Sequence, residues 1–165
     1  MHQIRTADPA DYDAIAAVID QWWGRPVLAS LPRLFLDLFH GSSLAIDGTG
    51  GPEGTGGPEG TGGPEGTGGL DAFLIGIFSP SDADRAYIHF VGVAPEARRR
   101  GYGRLLYEEF FRRARADGRR TVSAITAPSN LRSADFHREL GFRVSGPVDG
   151  YNGPGHPMLV FDRTL

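Results

Sequence analysis

Cysteine is absent from the 165 residues, which excludes disulfides, thiolate catalysis and any zinc site built on Cys. Lysine is absent as well: all 17 basic residues are arginine. A Walker-type phosphate loop and Schiff-base chemistry both require that lysine, so both classes fall away. Long apolar runs are missing too. The longest, residues 72–78, is far below the roughly 20 residues that span a bilayer. The first five residues carry no apolar signal-peptide core, so the cytoplasm is the default expectation. With 40% hydrophobic and 22% charged residues and a net charge of -3, the composition is that of an ordinary globular chain. Its length fits one domain over residues 1–165.

Glycine is abundant for one reason. Residues 48–69 hold 12 of the 24 glycines, as three copies of Gly-Thr-Gly-Gly-Pro-Glu and a partial fourth. The repeat has nothing apolar to bury and cannot offset its ordering entropy. It reads as a flexible insertion in a strand–strand loop. A binding role for Glu53, Glu59 and Glu65 is the other reading.

Around the insertion the element signals are regular. Asp8 and Pro9 predict a helix start, with Tyr12, Ile15, Ala16 and Ile19 at helical spacing and an end at Trp22-Trp23-Gly24. A short helix is expected over 31–39, with Leu31, Leu34, Phe35 and Leu38 on one face. Strands are expected over 43–47 and 71–79, as a hairpin carrying the repeat at its tip, and over 86–93. Gly103, Leu106, Tyr107, Phe110 and Ala114 form the core stripe of a helix over 103–116. A strand over 121–126, a helix from Asn130 to Leu140 and strands over 142–148 and 158–163 complete an α+β order.

The sharpest chemical signal joins the third predicted strand to the longest helix. Val91-Gly92-Val93-Ala94-Pro95 ends the strand, and Arg98-Arg99-Arg100-Gly101-Tyr102-Gly103-Arg104 opens the helix. The first N–H groups of a helix lack internal partners and point outward, where the helix dipole favours an anion. Glycines let backbone amides approach a pyrophosphate, and the arginines add charge. The plain structural alternative is a Gly-rich connection with solvated arginines.

Two motifs together resemble the GNAT family of acetyl-CoA-dependent N-acetyltransferases. Arg98-x-x-Gly101-x-Gly103 is similar to that family's pyrophosphate motif. Asn130 followed by Phe136-His137-Arg138-Glu139-Leu140-Gly141-Phe142 is similar to its second motif. The resemblance implies a mixed, mostly antiparallel central sheet flanked by helices and splayed between the fourth and fifth strands. It implies acetyl-CoA as co-substrate, with no metal. Arg98, Arg99, Arg100, Gly101, Tyr102, Gly103 and Arg104 would hold the pyrophosphate. Val91 and Val93 would align the pantetheine through their backbone, with the Val91 N–H near the acetyl carbonyl. Asn130 would bind the pantetheine arm or nearby backbone. His137 stands where the family usually has a tyrosine general acid; it would contact or protonate the thioester sulfur, or be a packed histidine.

Strand alternation predicts Tyr87, His89, Val91 and Val93 on one face. In the family that the two motifs resemble, that face usually carries the titrating or water-holding residue, which implies His89 as the first candidate for general base and Tyr87 as the second; Asp82, Asp84 and Asp149 are weaker ones. The resemblance implies a small-molecule or peptide amine as acceptor, with Trp22, Trp23, Arg25, Pro26, Phe39, His40, Asp149, Tyr151, Asn152 and His156 around it. No membrane is implied, and a homodimer stays open. Two other classes remain in view. One is acyl-CoA binding without catalysis. The other is nucleic-acid binding by residues 98–120, where nine arginines meet three acids. The arginine-only, Ala- and Gly-rich usage suggests a GC-rich bacterial genome.

Overall fold

The computed structural model describes residues 3–48 and 69–165. Along the chain run β1 (Ile4–Thr6), α1 (Asp11–Trp23), α2 (Leu34–Phe39), β2 (Leu44–Asp47), β3 (Leu70–Phe78), β4 (Arg85–Val93), α3 (Tyr102–Ala116), β5 (Thr121–Thr126), α4 (Leu131–Glu139), β6 (Arg143–Val148) and β7 (Met158–Thr164). Among the described residues seven strands form one sheet in the order β1-β2-β3-β4-β5-β7-β6. Every pairing is antiparallel except β4 with β5. This is the mixed, mostly antiparallel sheet that the two motifs imply.

Period-2 alternation along β3 feeds two apolar layers. Leu74 faces the layer under α3 and α4, with Leu106, Phe110 and Phe161. Phe73 and Ile75 face the layer under α1 and α2, with Ile15, Ile19, Leu31 and Leu36. The predicted stripe of α3 holds: Leu106, Tyr107, Phe110 and Ala114 are buried. Glycine is required where α3 bears on β3, since a Cβ on Gly76 would lie 2.2 Å from the Phe110 ring.

The predicted hairpin is formed by β2 and β3, and Gly48 N–H donates to the Gly69 carbonyl at 2.6 Å. The repeat between these glycines, with Glu53, Glu59 and Glu65, lies outside the described residues.

Three expectations are corrected. Strand β1, too short to show a period, precedes the first helix. That helix begins at Asp11, because Asp8 accepts the Ala10 N–H and Asp11 accepts the Asp8 N–H, making a turn first. The second helix starts at Leu34, after a 3₁₀ turn at Leu28–Ser30. Leu36 is its buried residue, Leu31 is buried in the connection before it, and Leu34 and Leu38 are exposed. Six helical residues are too few for spacing to choose a face.

Candidate active site

The site is made where the sheet opens. Pairing of β4 with β5 covers Arg85↔Thr121, Ala86↔Val122 and Tyr87↔Ser123 and then stops. Beyond that point β4 continues with β3 as far as Val93, and β5 continues with β7 as far as Thr126. The two halves of the sheet therefore part after Tyr87.

The edge exposed by this splay has a defined chemistry. Ala94 N–H donates to the Asp71 carbonyl at 2.8 Å. In an antiparallel ladder hydrogen-bonded and non-hydrogen-bonded pairs alternate. Val93, opposite Ala72, and Val91, opposite Leu74, are therefore non-bonded pairs. Their N–H and C=O groups point away from β3, toward the gap. An extended chain could pair there as an added strand.

At the root of the gap β4 carries a bulge. Ile75 pairs with Phe90 and Gly76 with Ile88, leaving His89 unmatched. This overturns the expectation that Tyr87, His89, Val91 and Val93 share a face. The extra residue shifts the alternation by one. Val91 and Val93 pack on the α3 side. His89 stacks on Phe35 of α2, with centroids 4.3 Å apart, and thus lies on the α1–α2 side.

His89 is half-buried, and its Nε2 lies 2.7 Å from the Ser30 carbonyl. A carbonyl only accepts, so Nε2 carries the proton and Nδ1 keeps its lone pair. Burial pushes the imidazole below its ordinary 6.5, opposed by the bond to Ser30. Tyr87, 6.0 Å from the His89 ring, is pushed up to about 12 by burial and by nearby Tyr151. At neutral pH both are uncharged. Asp82 and Asp84 are ion-paired to Arg85 and Arg120 at the far end of β4.

Below the gap the chain turns through Pro95–Ala97 into the arginine loop. Arg99 holds φ 68° and Gly101, the residue before α3, φ 80°. A left-handed arginine is strained by roughly 1 kcal/mol or more. The first helical bond is Leu105 N–H to Gly101 C=O at 3.0 Å. The amides of Tyr102, Gly103 and Arg104 therefore precede any helical partner. Arg98, Arg99, Arg100 and Arg104 are exposed beside them, and Tyr102 is buried. Arg98 is already engaged, donating to the Trp22 carbonyl at 2.8 Å. Arg100 stands 3.8 Å from Asp71. These residues fit a diphosphate, and the unpaired edge above them fits an amide-bearing arm.

Asn130 borders the gap from the other side. Its Oδ1 accepts the Ser133 N–H and its Nδ2 donates to Thr126 Oγ1, both at 3.2 Å. It caps α4 and ties it to the end of β5.

His137 is only 5% exposed. Its Nδ1 lies 2.7 Å from the Ser133 carbonyl and its Nε2 2.9 Å from the Tyr107 hydroxyl. Nδ1 donates to the carbonyl, and Nε2 accepts from Tyr107. Burial lowers its pKa, opposed by Ser133, and burial raises that of Tyr107. The ring stacks on Phe161 at 4.0 Å. Neither nitrogen is left with an unused proton. Sequence reasoning placed Tyr107 in the core and carried no signal for this pairing.

Trp22 stacks on Phe73 and Trp23 packs edge-on against Phe90, so both rings are engaged in packing. His40 is bonded to the Leu36 carbonyl. Much of the basic run is neutralised locally: Arg112 and Arg113 pair with Glu109, Arg119 with Asp117 and Arg120 with Asp84. Among the described residues there is no cluster of metal ligands, and no helix is long and apolar enough to cross a membrane.

Comparison with known proteins agrees with this geometry. Residues 67–142 match the acetyltransferase (GNAT) family. A comparison with curated protein sequences returns no match. The N-acetylglutamate synthase of Neisseria gonorrhoeae, solved with coenzyme A and N-acetyl-glutamate, superposes with a TM-score of 0.73 at 20% identity. All of this chain is covered, but it spans only 35% of that protein. Salmonella typhimurium yncA, solved with its cofactor acetyl-CoA, gives 0.66 at 20% identity, covering 100% of this chain and 94% of that one. Arabidopsis thaliana NAA60, in complex with a bisubstrate analogue, gives 0.71 at 16% identity, covering 99% and 98%. The family match lies in residues 67–142, and the whole chain shares its fold with these solved structures.

Proposed function

We propose that the chain is an N-acetyltransferase that moves the acetyl group of acetyl-CoA to a primary amine by direct attack in a ternary complex. The observation that carries the reading is the gap between β4 and β5, edged by Val91 and Val93 and leading into the Gly101 turn of α3. Acetyl-CoA would supply an activated acetyl thioester. The amides at the start of α3, with Arg98, Arg99, Arg100 and Arg104, hold its pyrophosphate. Val93 and Val91 align the arm as an added strand. The Val91 N–H donates to the thioester carbonyl oxygen as charge builds there. Asn130 braces the opposite lip.

An ammonium must lose its proton before it can attack. His89, neutral at pH 7 with a lone pair on Nδ1, accepts that proton directly or through water. Tyr87 stays protonated and hydrogen-bonds. His137, with both nitrogens engaged, holds α4 against α3 through Tyr107. The acceptor is a small-molecule or peptide amine entering from the α1–α2 side. Acyl-CoA binding without catalysis is the second reading, favoured by the absence of an unused proton on His137.

The test is a panel of small and peptide amines with acetyl-CoA, reading free CoA thiol. Amine-dependent thiol release with an acetylated product supports transfer. Saturable acetyl-CoA binding with no release across both classes would leave the binding reading.

A further inference from the structure

Asp20 sits in the last turn of α1, where its side chain is turned away from the helix. Its Oδ1 accepts two backbone protons, from Val27 N–H at 2.7 Å and Leu28 N–H at 2.8 Å. Those amides open the 3₁₀ turn Leu28–Ser30, closed by Ser30 N–H to Val27 C=O and Leu31 N–H to Leu28 C=O, both 2.9 Å. The last residue of that turn presents the carbonyl that receives His89 Nε2 at 2.7 Å. Helix α1 is itself held at this end, because Arg98 donates to Trp22 C=O and Trp22 stacks on Phe73. A continuous path thus runs from the arginine loop, through the end of α1, to the bulged histidine.

We infer that Asp20 is a positioning residue for His89: by capping the 3₁₀ turn it holds the Ser30 carbonyl on Nε2 and so keeps Nδ1 as the nitrogen free to take a proton. The catalytic consequence rests on the base assignment proposed for His89; the positioning itself does not. The charge is not what acts. One carboxylate oxygen does the capping, and an amide oxygen could do the same. Among the described residues no charged group around the ring takes over this role. Phe35 and Phe90 flank it, and the titratable neighbour is Tyr87 with Tyr151 behind it. Arg33, from the same connection, is paired to Asp13 on α1. Asp37 is two residues along α2 from Phe35 and so on another face.

The structure contains its own control. His137 is fixed in the opposite tautomer, with the proton on Nδ1. Ring ¹⁵N NMR of the full chain should therefore resolve His89 as the Nε2–H form and His137 as the Nδ1–H form. In Asp20→Ala the His89 signals should become those of mixed tautomers with a lower ring pKa, because the supporting carbonyl is lost, while His137 is unchanged. Asp20→Asn should keep the wild-type pattern. An unchanged His89 in Asp20→Ala overturns the inference, as does a parallel change in His137, which would mean general loosening. In kinetics, Asp20→Ala should lower kcat roughly tenfold through misplacement of the base and move the acid limb of kcat/KM with the ring pKa. A ring that changes while that limb stays would uphold the positioning and remove His89 from the base role.

Discussion

At the scale of the residue, two histidines, His89 half-buried and His137 buried, are held in opposite ways. His89 is stacked and hydrogen-bonded on one side only, so a lone pair is left to work with. His89→Ala should reduce kcat by about 10²-fold or more if it is the base, with little change in acetyl-CoA binding. In the wild type kcat/KM should rise with pH to a plateau, its limb below 6.5 because burial disfavours the charged ring. A limb near an ordinary amine pKa instead would point to proton loss before binding. His137 is committed on both nitrogens. His137→Phe strands the Tyr107 hydroxyl in the core, which costs about 1–3 kcal/mol. Replacing both Tyr107 and His137 by Phe should recover most of that loss, as read in a urea double-mutant cycle. The sign with pH follows from the depressed pKa. The unfolded chain binds the proton first, so stability is full above about 6.5 and falls as pH drops toward the folded value. The double variant should lose less between pH 7.5 and 5.5.

At the scale of the element, what could be read in the sequence was what repeats. The α3 stripe runs through three turns, and its burial was visible from spacing alone. The arginine loop was visible because its glycines and charges are adjacent in the chain. The bulge at His89 was not, since a one-residue shift leaves no composition signal and only the partner strand reveals it. Tyr87 and His89 lie on the opposite face from Val91 and Val93 for that reason, while the backbone roles proposed for Val91 and Val93 do not depend on side-chain direction. The Asp20–Leu28 cap, which reaches from the last turn of α1 across an irregular connection to a residue eight positions on, was equally silent. Close approach of elements gives a further prediction. Gly76→Ala would drive a methyl into Phe110, and should cost about 1–3 kcal/mol by overpacking, seen as a lower urea midpoint with unchanged slope. An unchanged midpoint would mean that α3 yields without cost.

At the scale of the molecule, the sheet is one body with a seam. Its two halves share only three residue pairs between β4 and β5, and α3 and α4 cover the seam from one side. A ligand that pairs with Val91 and Val93 and sits on the amides of α3 would bridge the open part of that seam. Binding to the folded state alone stabilises by mass action, about 2.7 kcal/mol at 100 times the dissociation constant. For a chain of this size that is a rise in Tm of roughly 5–10 °C. Melting with and without saturating acetyl-CoA therefore tests the account at its centre. A rise of that size, reduced when Arg99 and Arg104 are replaced by alanine, is the predicted result. An unmoved Tm at millimolar acetyl-CoA would contradict it, leaving the gap between β4 and β5 without the ligand proposed for it.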